Sequence, residues 1–479
     1  MKLLFINPLL SYSKKGGANS PPLGLLYLAA VLEKNNYQAK VLDAAALNLS
    51  LSDLVNRVKI EGPDVVGVTA TTLSMPSLIE TCRAIKLALP EVKVITGGFG
   101  PTLEAEKTIK ENDFIDLVAI GESELTIVQI ADYFSGKIPV TDIRGIVYRL
   151  NGQPKSSEPQ ELIKDLDDIP WPAYHLLEPD FYSYSGVHGS HDGIARPNAV
   201  MFASRGCPHR CIFCCLQQRR PRFRDPKKVV DEIEYYHNKY GIKSVQIYDD
   251  EFIGMSAQEN QWIADICDEI IKKGLNKLGF MVQGRCGRFV NSEVLKKMRE
   301  AGFKWVWWGV ETGSPKVLKI IQKDITIDDI KRTFTLTKEA GLKSLMFIMV
   351  GFPGETEEDV ALTAKLIKEV KPDKIRIHIT TPMPGSKLWE MLKEKNQIEI
   401  FDYLKYDSRL NVVHHTDELS SRQIKKLYEM LLFRFENGYW YFAKIIFKSL
   451  VTKEGWQKLP GRIKKAISYL SKWLLLKKI

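Results

Sequence analysis

The stretch Arg205-Gly206-Cys207-Pro208-His209-Arg210-Cys211-Ile212-Phe213-Cys214 carries three cysteines at spacings of four and three residues. Thiolates so spaced converge on one point only when the loop wraps around a bound group. Iron–sulfur clusters are held by such thiolates, and a four-iron cluster bound by Cys207, Cys211 and Cys214 keeps one iron without a protein ligand. An open iron can bind and activate a small molecule. Structural zinc, the plainer reading, usually pairs a Cys-x2-Cys with a second ligand pair downstream. Here Cys267 and Cys286 stand in apolar or glycine-rich surroundings without paired spacing, and Cys215 is adjacent but out of register.

The chain of 479 residues is too long for one ordinary domain, and two or three are expected. Its 44% hydrophobic and 26% charged residues suit a globular protein. Seven cysteines, three of them in one loop, fit a reducing, cytoplasmic setting better than a disulfide scaffold. Met1-Lys2-Leu3-Leu4-Phe5-Ile6-Asn7-Pro8 reads as a first strand rather than a secretory signal, and no run approaches the length of a membrane span. The net charge of +10 sits almost wholly in residues 444–479, leaving the rest near neutral. A nucleic-acid partner would call for basic residues across a binding face, so none is expected.

Downstream of Ala199, short β-branched runs alternate with helical patterns. Strands are expected at Val200–Ser204, Ser244–Tyr248, Gly279–Gln283, Trp305–Val310, Ser344–Val350 and Lys374–Thr380. Six parallel β/α units make an open barrel of the TIM type, with chemistry at the strand C-termini. Those ends read Tyr248-Asp249-Asp250-Glu251-Phe252, Gln283-Gly284-Arg285, Gly309-Val310-Glu311-Thr312-Gly313, Gly351-Phe352-Pro353-Gly354-Glu355 and Thr381-Pro382-Met383-Pro384-Gly385. Three adjacent acids at 249–251 are costly to bury without partners. Arg285 suits a carboxylate.

Upstream, residues 1–140 alternate in the same way. Strands are expected at Leu3–Ile6, Ala39–Leu42, Val65–Thr69, Val92–Thr96 and Leu117–Ile120, with helices between them. Continuous apolar strands separated by helices imply a parallel, doubly wound sheet of Rossmann-like α/β class, with ligands at the carboxyl ends. Those ends carry Asn7-Pro8, Thr69-Ala70-Thr71-Thr72, Gly97-Gly98-Phe99-Gly100 and Gly121-Glu122, and Leu23-Gly24 opens the first helix. Small and hydroxyl-bearing residues let a bulky planar ligand approach the backbone.

The Cys-x3-Cys-x2-Cys loop with Phe213 before its last cysteine resembles the signature of the radical S-adenosylmethionine (SAM) enzymes. Together with the strand-end motifs, residues 1–140 and 196–390 resemble the subfamily in which a cobalamin-binding domain precedes that barrel, including the anaerobic magnesium-protoporphyrin cyclase type. The resemblance implies a [4Fe–4S] cluster on Cys207, Cys211 and Cys214. It implies SAM contacts from Phe213, Asp249, Asp250, Glu251, Arg285, Glu311, Gly351 and Pro353. For cobalamin it implies Asn7, Pro8, Leu23, Gly24, Thr69, Thr71, Thr72, Gly97, Gly98, Gly100, Gly121 and Glu122. The Asp-x-His-x-x-Gly motif that supplies a histidine to cobalt elsewhere is absent. The implied chemistry is a 5′-deoxyadenosyl radical acting on an unactivated carbon, with methyl transfer from cobalamin. Oxidative cyclisation or rearrangement is the alternative, and an electron donor of the flavodoxin or ferredoxin type is implied.

Residues 141–195, with Pro154, Pro159, Pro170 and Pro172, read as a linker, and residues 391–479 as a helical region. The expected helices there are Ser420–Asn437, Gly438–Thr452 and Gly461–Lys478. The last is basic, with Ile463, Ile467, Leu470 and Leu474 on one face and Trp473 nearby. Such a helix suits an anionic membrane surface, so 436–479 is expected to make a peripheral contact at the inner face of the membrane and the substrate to be a lipid or other hydrophobic small molecule. A helix docked on the barrel is the counter-reading. A methylthiotransferase would carry further cluster cysteines in its first domain, where only Cys82 stands. A non-catalytic cobalamin or iron–sulfur sensor is the remaining rival.

Overall fold

In a computed structural model of the chain, residues 1–9, 21–177, 194–216 and 219–437 are described. The first sheet is built from β1 (Lys2–Asn7), β2 (Gln38–Asp43), β3 (Val65–Thr69), β4 (Lys93–Gly97), β5 (Leu117–Ala119), β6 (Ile146–Leu150) and β7 (Gln153–Ser156). Its order is β2-β1-β3-β4-β5-β6-β7, parallel through β5 and antiparallel at β6 and β7. The strands are apolar because both faces are covered. Leu3 and Phe5 face one helical layer with Leu25, Leu32 and Ile130, whereas Leu4 and Ile6 face the other with Leu54, Leu78 and Ile85. The expected linker opens differently: Ile146–Ser156 form a hairpin that extends this sheet. Gly152, with φ of +79°, makes the turn with Asn151. Its proline at 154 lies on the outermost strand, where a missing N–H costs least.

From there the chain crosses to the second unit. Asp167 accepts bonds from Arg224 Nε (2.9 Å) and the Asp225 N–H (2.7 Å), and the Tyr174 hydroxyl donates to the Val200 carbonyl (2.8 Å). The second sheet runs β8 (Asn198–Met201), β11 (Ser244–Ile247), β12 (Gly279–Arg285), β13 (Phe303–Glu311), β14 (Lys343–Val350) and β15 (Lys374–Ile379), all parallel. The edge strands β8 and β15 do not pair, so the barrel is open. A short β-ribbon, β9 (Ser204–Arg205) with β10 (Arg222–Phe223), brackets the cysteine loop.

Alternation along the strands divides the side chains. Val306, Trp308, Met346 and Ile348 pack outward with Ile330 and Phe334 of the helical layer, while Met281, Trp305, Trp307 and Leu345 form a separate inner cluster. Side-chain caps start the helices: Asp225 at Pro226–Tyr240, Ser256 at Ala257–Lys272, and Thr326, Thr356 and Ser420 as capping boxes. The helix Ser421–Leu431 continues as a π-helical turn over Leu432–Asn437. The expected helices beyond it, and with them almost all of the membrane contact, lie outside the described residues.

Candidate active site

The cysteine loop is held by its backbone. The Ile212 N–H donates to the Ile321 carbonyl (3.1 Å), and the Ile212 carbonyl accepts from the Leu388 N–H (2.8 Å). Phe213 packs on Phe352, with ring centroids 5.6 Å apart. Gly206 turns into the loop at φ +91°, a conformation glycine adopts without strain. All three cysteines are free thiols; Cys211 is buried, Cys207 and Cys214 partly so. Burial, reinforced by Glu251, pushes the Cys207 thiol up, and burial pushes Cys214 up. Thiolates here therefore need a bound cation to replace the lost protons.

The strand ends surround this loop. The three acids after β11 diverge. Asp249 is fully buried and accepts from the Ala203 N–H (2.8 Å) and the Ser204 hydroxyl (2.7 Å), bracing the entry to the cysteine loop. Burial raises its carboxyl to about 7. Asp250 accepts from the Gly206 N–H (2.9 Å), and Glu251 Oε2 accepts from Cys207 Sγ (3.2 Å). A sulfur that binds iron has no proton to donate, so with a cluster in place Glu251 would lose this donor. At the end of β12, Arg285 Nη1 lies 3.6 Å from Cys211 Sγ. At the end of β13, Glu311 Oε1 accepts from Lys323 Nζ at 2.8 Å, and both are buried. Burial alone would lower the Lys323 ammonium, but Glu311 and the Cys211 sulfur outweigh it and hold its pKa above the ordinary value.

Gly351, after β14, donates its N–H to Glu355 Oε2 (2.6 Å) and accepts at its carbonyl from His414 Nε2 (2.8 Å), with Pro353 half-buried beside it. Arg285 Nη2 and Glu251 Oε1 are buried without a hydrogen-bond partner among the described residues. Three soft sulfurs, a free guanidinium nitrogen and a free carboxylate oxygen at one barrel mouth are a donor set that suits a cluster carrying an amino acid-like ligand. Lys323, His209 and Arg205 had not been singled out from the sequence. His209 could have been found, since it lies inside the loop; its ring, Cys207 and Glu251 have ligand atoms within 4.8 Å of one another. A lysine twelve residues past a strand carries no such signal.

The second set of residues stands along the carboxyl edge of the first sheet. Asn7 closes β1 with its Nδ2 donating to Asp43 (2.8 Å), and Pro8 is buried behind it. Thr69 closes β3, followed by Thr71 and Thr72, where Thr71 and Ser74 form a capping box. Gly97 closes β4, Gly98 and Gly100 follow it, and Gly121 and Glu122 follow β5. Gly24 and Gly121 are exposed, and a Cβ on either would meet nothing within 4 Å, so the edge is open to a large ligand. Gly98 and Gly100 are glycines for another reason: added Cβ atoms would come within 2.8 Å of the Ala70 and Thr71 carbonyls. Five expected residues do not open on this face, Pro8, Thr72 and Gly100 among them because they are buried. Leu23 turns into the core, and Glu122 is bound by Arg222 (Nη1, 3.1 Å) and Arg205 (Nη1, 3.4 Å).

That last pairing joins the two sites. Arg205, two residues before Cys207, also donates through Nη2 to Glu124 (2.7 Å) and lies over the Tyr27 ring (5.3 Å). Leu73, from the first sheet's edge, packs in one cluster with Ile212, Phe213 and Phe352 of the second. Leu103 touches Gly385 after β15. The two strand-end faces thus meet.

Among known proteins, residues 201–367 match the radical SAM superfamily and residues 13–131 match the B12 binding domain. The chain is 34% identical over 436 residues to an uncharacterized methyltransferase of Pyrococcus horikoshii, covering 89% of this chain and 92% of that one. It is 31% identical to the anaerobic magnesium-protoporphyrin IX monomethyl ester cyclase of Rubrivivax gelatinosus, over 85% of this chain and 72% of the other. The solved structure of OxsB, a cobalamin-dependent S-adenosylmethionine radical enzyme with aqua-cobalamin and S-adenosylmethionine bound, superposes with a TM-score of 0.76 at 16% identity, covering 98% of this chain and 70% of that chain, a likeness of fold. The chain therefore belongs to the radical SAM superfamily, as an enzyme of the methyltransferase-like group with a B12-binding domain ahead of the barrel, and its cofactors are a [4Fe–4S] cluster, S-adenosylmethionine and cobalamin.

Proposed function

We propose that the chain methylates an unactivated carbon of a hydrophobic small molecule, such as an isoprenoid or other lipid. The observation that carries this reading is the meeting of the two strand-end faces through Leu73 and the Arg205 pairings, which supports a methyl donor and a radical source sharing one substrate. Bound together, the cofactors supply a 5′-deoxyadenosyl radical and a transferable methyl group. In this reading Cys207, Cys211 and Cys214 bind the cluster, while Arg285 and Glu251 orient the carboxylate and ammonium of SAM through their free atoms. Glu311 accepts from ribose hydroxyls, Asp250 and Phe213 border the ligand, Gly351 and Pro353 shape the adenine side, and Asp249 braces the loop. The open edge formed by Gly24, Thr71, Gly98 and Gly121, with Asn7, Thr69 and Gly97 beside it, takes the corrin. Residues 1–140 and 196–390 are proposed as the two cofactor domains, served by a flavodoxin- or ferredoxin-type donor, and 436–479 as a peripheral membrane contact.

The likeness to a magnesium-protoporphyrin cyclase favours oxidative cyclisation as the second reading. Anaerobically reconstituted protein, supplied with SAM labelled in its methyl group, reductant and a bacterial lipid extract, decides between them. Label in a lipid product together with 5′-deoxyadenosine supports methylation. Deoxyadenosine without transferred label overturns it. Removal of residues 436–479 with unchanged liposome binding overturns the membrane contact.

A further inference from the structure

We infer that Lys323 is a positioning residue of the cluster site: its buried ammonium sets the charge beside the Cys211 sulfur and fixes the Glu311 carboxylate. The lysine follows the short helix Pro315–Ile320 and reaches back under the cysteine loop. Its Nζ lies 2.8 Å from Glu311 Oε1 and 5.9 Å from the centre of the Phe213 ring.

The strand is built to admit this pair. Gly309 lacks the Cβ that would stand 2.9 Å from Glu311 Oε1 and 3.0 Å from Lys323 Nζ. The register of β13 against β14 shifts between Gly309 and Glu311, and Glu311 takes φ of +70°, in the left-handed region that glutamate seldom enters. Such a conformation persists where its surroundings over-determine it, and the buried ammonium is what holds the carboxylate there.

The charges point the same way. Lys323 and Arg285 are both buried; Lys323 is paired with Glu311, and Arg285 lies against the cysteine loop. An uncompensated buried charge is costly, and the Arg285 guanidinium has the Cys211 sulfur 3.6 Å from its Nη1. Positive charge beside a cluster stabilises its reduced, more negative form. The inference rests on a cluster at the three cysteines and stands apart from methyl transfer; Glu311's contact with SAM is a separate reading.

The test uses the full chain, anaerobically reconstituted, with iron content matched between variants and the cluster potential measured by EPR-monitored titration without SAM. Lys323→Met shifts the potential more negative, Glu311→Gln shifts it more positive, and Lys323→Arg restores the wild-type value. A merely structural ion pair would give no opposed shifts. An unmoved potential in Lys323→Met overturns the inference. Should that variant fail to take up iron, an unmoved or negative shift in Glu311→Gln overturns it instead. SAM affinity, measured on the same samples, tests the other reading: it falls roughly tenfold in Glu311→Gln, as for loss of a hydrogen bond to a charged group.

Discussion

Glu355 is fully buried at the turn after β14, and burial raises its carboxyl to about 7 although the Gly351 and Phe352 N–H groups donate to it. In the unfolded chain it titrates at its ordinary value of 4.5. Between those pH values the native chain keeps a proton that the unfolded chain has released. The contribution to stability is therefore full at low pH and is lost as pH rises through about 7. Glu355→Gln keeps the accepting oxygen and removes the titration. From about pH 5 to pH 8 its stability relative to wild type should improve by about 1–3 kcal/mol, read by thermal unfolding. A constant difference would mean that Glu355 stays ionised. Cys211→Ala is the sharper test of the cluster: bound iron and 5′-deoxyadenosine should both fall to background, and retention of either would remove Cys211 from the ligand set.

Elements aim these residues, and the turn after β11 shows how closely. Gly254 has φ of +115°, and a Cβ there would stand 2.2 Å from the Arg285 carbonyl. Neither the backbone nor Arg285 can yield without moving the end of β12. Gly254→Ala should destabilise the chain by at least about 2 kcal/mol and lower cluster retention, measured by denaturant unfolding and iron content. Full stability would show that the turn relaxes away from β12. The helices behind the strands were readable because their caps are local: Ser50 before Leu51–Glu61 and Thr356 before Glu357–Val370 accept from their own first turns. The hairpin at Ile146–Ser156 was not, because its first strand pairs with the distant β5 and its second carries a proline that reads as linker.

At the scale of the whole molecule, the cofactor faces are joined by the arginine pairings. Arg205 binds Glu122 and Glu124 while its ribbon partner Arg222 shares Glu122. Arg205→Met leaves Glu124 buried without its cation, which typically costs about 3–5 kcal/mol. Lower thermal stability should come with a weaker magnetic interaction between cob(II)alamin and the reduced cluster. An unchanged interaction at normal cofactor loading would show that the hydrophobic contact of Leu73 suffices to hold the two faces.

What the sequence by itself determined was whatever is written in local order: the period of strands and helices, the cysteine spacing, and the small residues at strand ends. The strands expected at Val65–Thr69 and Leu117–Ile120 stand where periodicity placed them, to within a residue. What only the tertiary structure decided was which strand-end side chains are free. Asp249 and Glu122 read as ligands, yet fold-wide partners occupy them. Nothing in the sequence singles out Lys323, yet it is buried against Glu311. Spacing along a chain records which residues can reach a common point, but whether a polar atom is already satisfied depends on partners supplied by distant segments.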